Sequence, residues 1–269
     1  MAQWEEEGKI AWTRDKRQRY NRKKGGRDMV WLAVSLGAML GGMVQTVTGF
    51  GAGVVLILIL SRFFDMLAAP GINNVVCMSL TVMLSWQHRG KIDLRKVLLP
   101  AVPFACVSVL TIHLAQNADL SILGVVFGLF LVALSVYFFC FDKKVKLRGD
   151  VPTAVLCAAI SGVFSGLFGV GGPLMALYFL QITKDREEYI GNLQFFFTLT
   201  NIINTATRIA GGIYTLDLLP VTLVGLAGIL TGKQLGARIA GKLDAQTLKK
   251  VVYLFVGISG VVNLLQELV

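Results

Sequence analysis

Charge is scarce in this 269-residue chain, and the motifs of most enzyme active sites are missing from it. Charged residues make up 16% of the chain, whereas a soluble globular domain has about 25%. The chain has two histidines and four scattered cysteines, with no CxxC, HExxH or GxSxG motif. Metal, redox and nucleophilic catalysis usually need such groupings. The sequence therefore predicts that the protein is not an enzyme and has no resident metal or cofactor.

Acidic residues are absent from the middle of every long apolar run. Pumps and proton-coupled carriers usually keep a carboxylate there as a proton relay. Coupling through a buried carboxylate is therefore not expected. Sodium coupling stays open, because backbone carbonyls, hydroxyls and amides can bind sodium, and uniport stays open as well.

Long apolar runs dominate what is present. Hydrophobic residues make up 55% of the chain, and its mean hydropathy is +0.67. A membrane-spanning helix needs about 20 apolar residues, and most of the runs have that length. They lie at residues 29–64, 67–87, 97–115, 120–141, 151–180, 190–210, 213–232 and 246–266. The sequence predicts an all-α, polytopic transmembrane helical bundle in the cell (cytoplasmic) membrane, with eight to ten membrane segments when half-helices are counted.

Two of these runs are too long for one straight crossing. Residues 29–64 and 152–183 would extend about 54 Å and about 48 Å as single helices, against a hydrocarbon core of about 30 Å. Glycine clusters lie in the middle of both, at 49–53 and 169–173. Because glycine disrupts helices, the sequence predicts that each run consists of two helices separated by a glycine break.

The two broken runs are copies of one segment. Residues 41–60 read GGMVQTVTGFGAGVVLILIL, and residues 161–180 read SGVFSGLFGVGGPLMALYFL. A shift of 120 positions places Gly49 on Gly169. A duplicated membrane unit with a helix-breaking centre is typical of secondary transporters whose substrate site lies between the repeats.

Loop charge predicts that the two repeats are inverted. The loop 87–96 is basic and the loop 211–217 has no Lys or Arg, so the positive-inside rule places the first in the cytoplasm and the second outside. Yet Gly90–Ile92 aligns with Gly211–Ile213, so equivalent positions lie on opposite sides. Inversion would also place the N-terminus outside, against nine basic residues in the tail 1–28. The sequence leaves that conflict open.

The predicted organisation has four parts. They are a basic N-terminal tail at 1–28, repeat 1 at 29–142, a cytoplasmic linker at 143–150 and repeat 2 at 151–269. The basic residues of the tail are interpreted as contacts with the anionic surface of the lipid bilayer. No nucleic-acid partner is predicted, because no stacking motif or folded module accompanies the charge. A homodimer is left open.

The glycine breaks are candidate anion sites. Proline is favourable in the first turn of a helix, so the second break predicts a helix that starts at Pro173, with Gly53 in the same place in repeat 1. Free N–H groups and the positive end of the helix dipole attract anions there. The predicted backbone ligands are Gly49, Gly51, Gly169, Gly171 and Gly172.

Polar side chains inside the apolar runs are the second group of candidates, because the membrane makes them costly. They are Gln45, Asn73 and Asn74 in repeat 1, and Gln194, Asn201, Asn204 and Arg208 in repeat 2. The last three share one helix face at spacing i, i+3, i+7. Two interpretations stay open for the amide side chains, and two for Arg208. The amides contact substrate or join helices, and Arg208 pairs with an anion or extends to the external interface.

Close helix packing is the competing interpretation of the glycines. Gly37 and Gly41 form a small-xxx-small pair, and so do Gly162 and Gly166. Such pairs commonly let membrane helices touch. Packing is favoured for these two pairs, and a functional break is favoured for 49–53 and 169–173.

Three segments together resemble a known family. They are the two glycine-rich segments and HRGKIDLRKVLLPAVPF at 88–104, and the family is TauE/SafE, also called the 4-toluene sulfonate uptake permeases. The resemblance covers residues 30–267. It implies a carrier of sulfite, of organosulfonates such as sulfoacetate, or of related sulfur-containing anions.

The sequence therefore predicts a secondary transporter whose small anionic substrate binds at the membrane midplane between the two breaks. Rocking of one repeat against the other would alternate access to that site. The alternatives are an anion channel, a carrier of a different small organic anion and, with little support, a membrane-embedded enzyme.

Overall fold

The computed structural model describes residues 27–141, 148–239 and 261. Within these residues the chain is helical, and no strand is formed. The helices are α1 (Arg27–Thr48), α2 (Ala52–Phe63), α3 (Ala68–Gln87), α4 (Leu94–Gln116), α5 (Leu120–Phe141), α6 (Val151–Phe168), α7 (Gly172–Ile182), α8 (Arg186–Ala210) and α9 (Leu219–Ile239). Two short 3₁₀ turns, Arg89–Lys91 and Leu216–Leu218, precede α4 and α9.

Parts of the predicted organisation lie outside the described residues. These are nearly all of the basic tail 1–28, most of the linker 143–150 and almost all of repeat 2 beyond residue 239.

Among the described residues, five helical segments are long and apolar enough to cross a membrane. They are Asp28–Thr48, Ala68–Gln87, Leu94–Gln116, Val151–Phe168 and Leu216–Ile239. Three shorter apolar helical segments accompany them at Ala52–Phe63, Ile122–Ala133 and Gly172–Ile182. The protein is therefore a helical, multi-pass membrane protein. The predicted count of eight to ten segments stays a prediction.

Aspartate begins three of the helices. Asp93, Asp150 and Asp185 accept backbone N–H bonds from Arg95, Thr153 and Glu188, at 3.0, 3.2 and 2.8 Å. An N-cap of this kind satisfies a helix donor that has no partner inside the helix. For Asp185 the bond from the Glu188 N–H lowers the pKa of the carboxyl, and Lys91 lowers it further. The Asp185 cap is therefore ionised at neutral pH.

Two pairs of helices, each with one member from each predicted repeat, pack in parallel with glycines at the contact. A Cβ added to Gly228 of α9 would lie 3.1 Å from Ala38 Cβ of α1, and one on Gly236 would lie 3.0 Å from Met43 Cα. Since both residue numbers rise together, α1 and α9 run in the same direction.

The second parallel pair is α4 with α6. A Cβ on Gly162 would lie 2.8 Å from the Phe104 carbonyl oxygen, and one on Gly166 would lie 2.8 Å from that of Ser108. Gly41 similarly faces Ala52 of α2. Both small-xxx-small pairs therefore lie in close helix contacts, as the packing interpretation expected.

Basic loops gather at one end of the bundle, which we call the basic end. The Lys96 ammonium at the start of α4 donates to the Ile182 carbonyl at the end of α7 (3.0 Å) and pairs with Glu188 of α8 (2.5 Å). Gly149, before α6, packs on Ile182, and His88, after α3, packs on Gly191. The starts of α4, α6 and α8 and the ends of α3 and α7 therefore share this end.

The start of α1 lies at the opposite end. Gln116 at the end of α4 donates to the Gly211 carbonyl after α8 (3.4 Å), and Tyr214, before α9, packs on Gly71 near the start of α3. Because α1 runs parallel to α9, it also begins there. At its other end the Arg186 guanidinium donates to the Val47 carbonyl (3.1 Å). The first helix therefore begins at the end opposite the basic end, and inversion of the repeats stays a prediction.

Candidate functional site

Each of the two long apolar runs is interrupted at its glycines. Residues 49–51 separate α1 from α2, and residues 169–171 separate α6 from α7. Gly51 has φ +109° and Gly169 has φ +67°, values that residues with a side chain rarely adopt. Each irregular segment is two residues shorter than its glycine cluster, 49–53 or 169–173, suggested. After the break in repeat 2, helix α7 begins at Gly172, with Pro173 in its first turn. After the break in repeat 1, helix α2 begins at Ala52 rather than Gly53.

The two breaks lie against each other. The Asn73 amide of α3 donates to the carbonyls of both Gly53 and Gly169, at 3.2 Å each. A Cβ on Gly53 would lie 3.5 Å from the Gly169 carbonyl oxygen. One amide from repeat 1 thus joins the broken helix of repeat 1 to that of repeat 2.

A second amide makes the reciprocal connection from repeat 2. Gln194 of α8 donates to the Gly49 carbonyl at 2.5 Å, and its carbonyl oxygen accepts from the Gln45 amide at 2.9 Å. The Gln45 oxygen in turn accepts from the Ala52 N–H at 3.3 Å. Because Gly49 and Gly169 are equivalent in the two repeats, Asn73 and Gln194 each hold the break of the other repeat.

A small cavity lies between the two breaks. Its volume is about 50 Å³, and its walls come from both glycine segments and from α3, α4, α6 and α8. The residues around it are Gln45, Gly51, Gly53, Val54, Cys77, Thr81, Phe104, Ser165, Gly169, Val170, Gly171, Gly172, Phe197, Thr200 and Asn201. None of these side chains carries a formal charge at neutral pH. The field inside the cavity therefore comes chiefly from backbone and side-chain dipoles.

The two helix starts at the cavity differ in how they are capped. At α2 the Gln45 side chain accepts the Ala52 N–H. The equivalent of Gln45 in repeat 2 is Ser165, whose hydroxyl instead accepts from the Asn204 amide at 3.0 Å. The residue before α7 is Gly171, which has no side chain to cap the helix. The start of α7 is therefore the more available set of backbone donors for an anion.

The predicted site residues fall into three groups. Six lie around the cavity: Gln45, Gly51, Gly169, Gly171, Gly172 and Asn201. Three hold the breaks in place by the bonds described above: Gly49, Asn73 and Gln194. The remaining three, Asn74, Asn204 and Arg208, are buried but are not among the residues around the cavity.

Asn204 and Arg208 are engaged inside the protein. The Asn204 carbonyl oxygen accepts from the Ser108 hydroxyl, and its amide donates to Ser165. The Arg208 guanidinium donates to the Gly166 carbonyl at 2.6 Å and to the Leu67 carbonyl at 3.5 Å. The Arg208 side chain is 1% exposed, so it does not extend to the external interface.

Several residues around the cavity were not predicted as site residues. Ser165 could have been found as the repeat equivalent of Gln45, and Phe197 as the residue one helical turn before Asn201. Cys77 lies one turn after Asn73, and its thiol donates to the Asn73 oxygen at 3.5 Å. No signal in the sequence marks Phe104, which reaches the cavity only through the packing of α4 on α6.

The described part of the chain contains no group of three His, Cys, Asp or Glu side chains that could hold a metal ion.

The fold defines a class of protein: a multi-pass helical membrane protein. The model of the family described as sulfite exporter TauE/SafE matches residues 34–262. The chain belongs to that family. It is 25% identical over 245 residues to a probable membrane transporter protein of Methanocaldococcus jannaschii, covering 83% of this chain and 91% of that protein. No solved structure matches the chain.

Proposed function

We propose that the protein is a carrier of sulfite or a similar small sulfur oxyanion, which binds in the cavity between the two glycine breaks. The observation that carries the proposal is the neutral cavity at the starts of α2 and α7. Helix starts present free N–H groups and the positive end of the dipole. A cavity with no charge of its own and two such ends favours an anion over a cation.

The size of the cavity supports a small oxyanion. A volume of about 50 Å³ holds three to five water-sized atoms, at roughly 10–15 Å³ for each. Sulfite has four non-hydrogen atoms, whereas sulfoacetate has eight. In this conformation the cavity therefore accommodates sulfite or the sulfonate head group of a larger anion.

The ligands that we propose divide between backbone and side chain. Gly171 and Gly172 at the start of α7, with Gly51 at the start of α2, place their N–H groups against the anion. Asn201 and Gln45, both among the residues around the cavity, add amide donors. Gln194 and Asn73 hold the two breaks in register from outside the cavity.

Inverted repeats and alternating access form the second part of the proposal. The support is the exchange of partners between repeats, in which α1 of repeat 1 packs on α9 of repeat 2 while α6 of repeat 2 packs on α4 of repeat 1. The α1–α2 pair starts from one end of the bundle and the α6–α7 pair from the other, and their breaks meet. Rocking about this contact would open the cavity to each end in turn.

The orientation follows from the basic end. By the positive-inside rule, the lysines and arginines of the basic end favour a cytoplasmic location for it. The start of α1 then lies outside the cytoplasmic membrane.

Ligand-dependent thermal stability of the purified full chain tests the substrate. A ligand that binds the native state raises its apparent stability by mass action. Sulfite should raise the unfolding temperature, sulfoacetate and taurine should raise it less, and a carboxylate analogue such as acetate should have the smallest effect. A shift with none of the sulfur anions, but with another solute, would contradict the proposed substrate and leave the transporter fold untouched.

A further inference from the structure

Behind the second break lies a group of buried polar atoms that the cavity does not use. Asn74 of α3 is 1% exposed, and within the described residues neither its amide nitrogen nor its carbonyl oxygen has a hydrogen-bond partner. The same holds for Nε of Arg208. Buried polar groups are nearly always bonded, so such a group calls for an explanation, of which an ion or water is the usual one.

Both side chains lie where α3 approaches the end of α6. Arg208 bonds to the carbonyls of Leu67 on the α3 side and Gly166 on the α6 side. A Cβ on Gly71 would lie 3.6 Å from Arg208 Cδ, the atom bonded to Nε, and one on Gly169 would lie 2.9 Å from the Asn74 oxygen. Arg208 therefore packs against α3 and α6, and Asn74, which belongs to α3, packs against Gly169 just after the end of α6.

The two side chains meet α3 about one helical turn apart. Gly71, which packs on Arg208 Cδ, and Asn74 are three residues apart, which is about 4.5 Å along a helix axis. Arg208 Cδ and the Asn74 side chain therefore adjoin the same face of α3.

Charge points to an anion rather than to water alone. Arginine stays protonated in proteins, and neither of the ion pairs among the described side chains that we resolve involves Arg208. Its partners are two backbone carbonyls, which are dipoles and not charges. A buried charge with no counter-charge is costly, and an anion beside Nε would remove that cost.

We propose that Arg208 and Asn74 form a second anion-binding position, separate from the cavity and on its side facing the start of α1. The backbone at Gly169 separates the two positions, because Gly169 borders the cavity and also contacts Asn74. The position takes the same small sulfur oxyanion as the cavity, and to that extent it rests on the proposed function. It provides a waypoint between the cavity and the end of the bundle opposite the basic end.

The test is the number of ions bound to the purified full chain, measured by equilibrium dialysis with radiolabelled sulfite at a concentration that just saturates the wild type. The wild type should bind two ions. Asn74→Asp places a carboxylate of the same shape beside the guanidinium, where it pairs with Arg208 and occupies the anion position. This variant should bind one ion and unfold at no lower temperature than the wild type. Asn117→Asp, an exposed control at the end of α4, should bind two.

A cavity variant separates the two proposals. Gly172→Ala narrows the cavity and should also leave one ion, and the double variant with Asn74→Asp should leave none. If the wild type binds one ion, and that ion is still bound in Asn74→Asp but not in Gly172→Ala, the second position is overturned and the proposed function stands. If the wild type binds one ion, and that ion is still bound in Gly172→Ala but not in Asn74→Asp, the second position is supported and the cavity site is overturned. If the wild type binds no sulfite, both proposals are overturned.

Discussion

Adding one methyl group at Gly172 should block the cavity without disturbing the fold. A Cβ at this position would lie 3.4 Å from Phe197 Cζ and 3.9 Å from Phe50 Cβ, which are ordinary contact distances. Gly172 lies in the first turn of α7 with an ordinary φ. Pro173 disfavours helical backbone at a preceding residue that has a Cβ, and this cost offsets the lower entropy of the unfolded chain. The Gly172→Ala variant should therefore have a stability close to that of the wild type.

The size of the effect follows from the volume. The cavity of about 50 Å³ has room for about four non-hydrogen atoms, and a methyl group takes the place of about one. Sulfite then loses at least one hydrogen bond to a helix N–H group, which is about 1.5–3 kcal/mol when one partner is charged. At about 1.4 kcal/mol for each factor of ten, the sulfite Kd should rise about 10- to 100-fold.

The matched control is Gly90→Ala at the basic end. A Cβ at Gly90 meets no heavy atom of the described structure within 4 Å. Both variants should be made in the full chain and compared by sulfite titration and by thermal unfolding. An unchanged sulfite Kd in Gly172→Ala, with Gly90→Ala also unchanged, would refute the placement of the anion at the start of α7.

Three further predictions follow from the contacts. Gln194→Leu leaves the Gly49 carbonyl and the Gln45 amide unsatisfied, at about 1–3 kcal/mol for each buried group, so its unfolding temperature should fall well below that of Asn201→Leu; equal values would contradict the role of Gln194. Asn201→Leu should lose sulfite transport while it keeps most of its stability; normal flux would remove Asn201 from the site. In a cysteine-free background, cysteines at Asp28 and Ala118 should react with an impermeant thiol reagent from the same side of the membrane, and a cysteine at Gly90 should react from the other side. Labelling of the cysteines at Asp28 and Gly90 from one side would contradict the inverted arrangement.

The breaks could be predicted from the sequence because their cause is local. A run too long for the bilayer with glycines at its centre has few alternatives to breaking. The exact helix boundaries were harder to predict, because proline fits several positions of the first turn. Helix α7 begins one residue before Pro173.

The contacts between repeats could not be predicted in the same way. Asn73 and Gln194 were recognised as costly polar residues, but their bonds cross 96 and 145 positions of the chain. Only the packing of α3 and α8 against the opposite breaks decides what those amides bond. Their position and their polarity alone fitted substrate contact and helix bridging equally well.

The environment of Arg208 could not be predicted from the sequence either. Its place near the end of an apolar run fitted both an extended conformation at the interface and a buried one. Gly71 of α3 leaves room beside the Arg208 side chain, and the Gly166 carbonyl of α6 accepts a hydrogen bond from its guanidinium. Because that space is made by residues far away in the sequence, periodicity along α8 carries no information about it.

Sulfite flux in proteoliposomes tests the central claim most directly. The full chain is reconstituted, and uptake of radiolabelled sulfite is followed against external concentration and against unlabelled sulfite inside the vesicles. A carrier that alternates access around the cavity gives uptake that saturates, that is accelerated by sulfite on the far side, and that falls in Gly172→Ala but not in Gly90→Ala. Uptake that rises linearly without acceleration, or that is the same in all three proteins, would contradict the account.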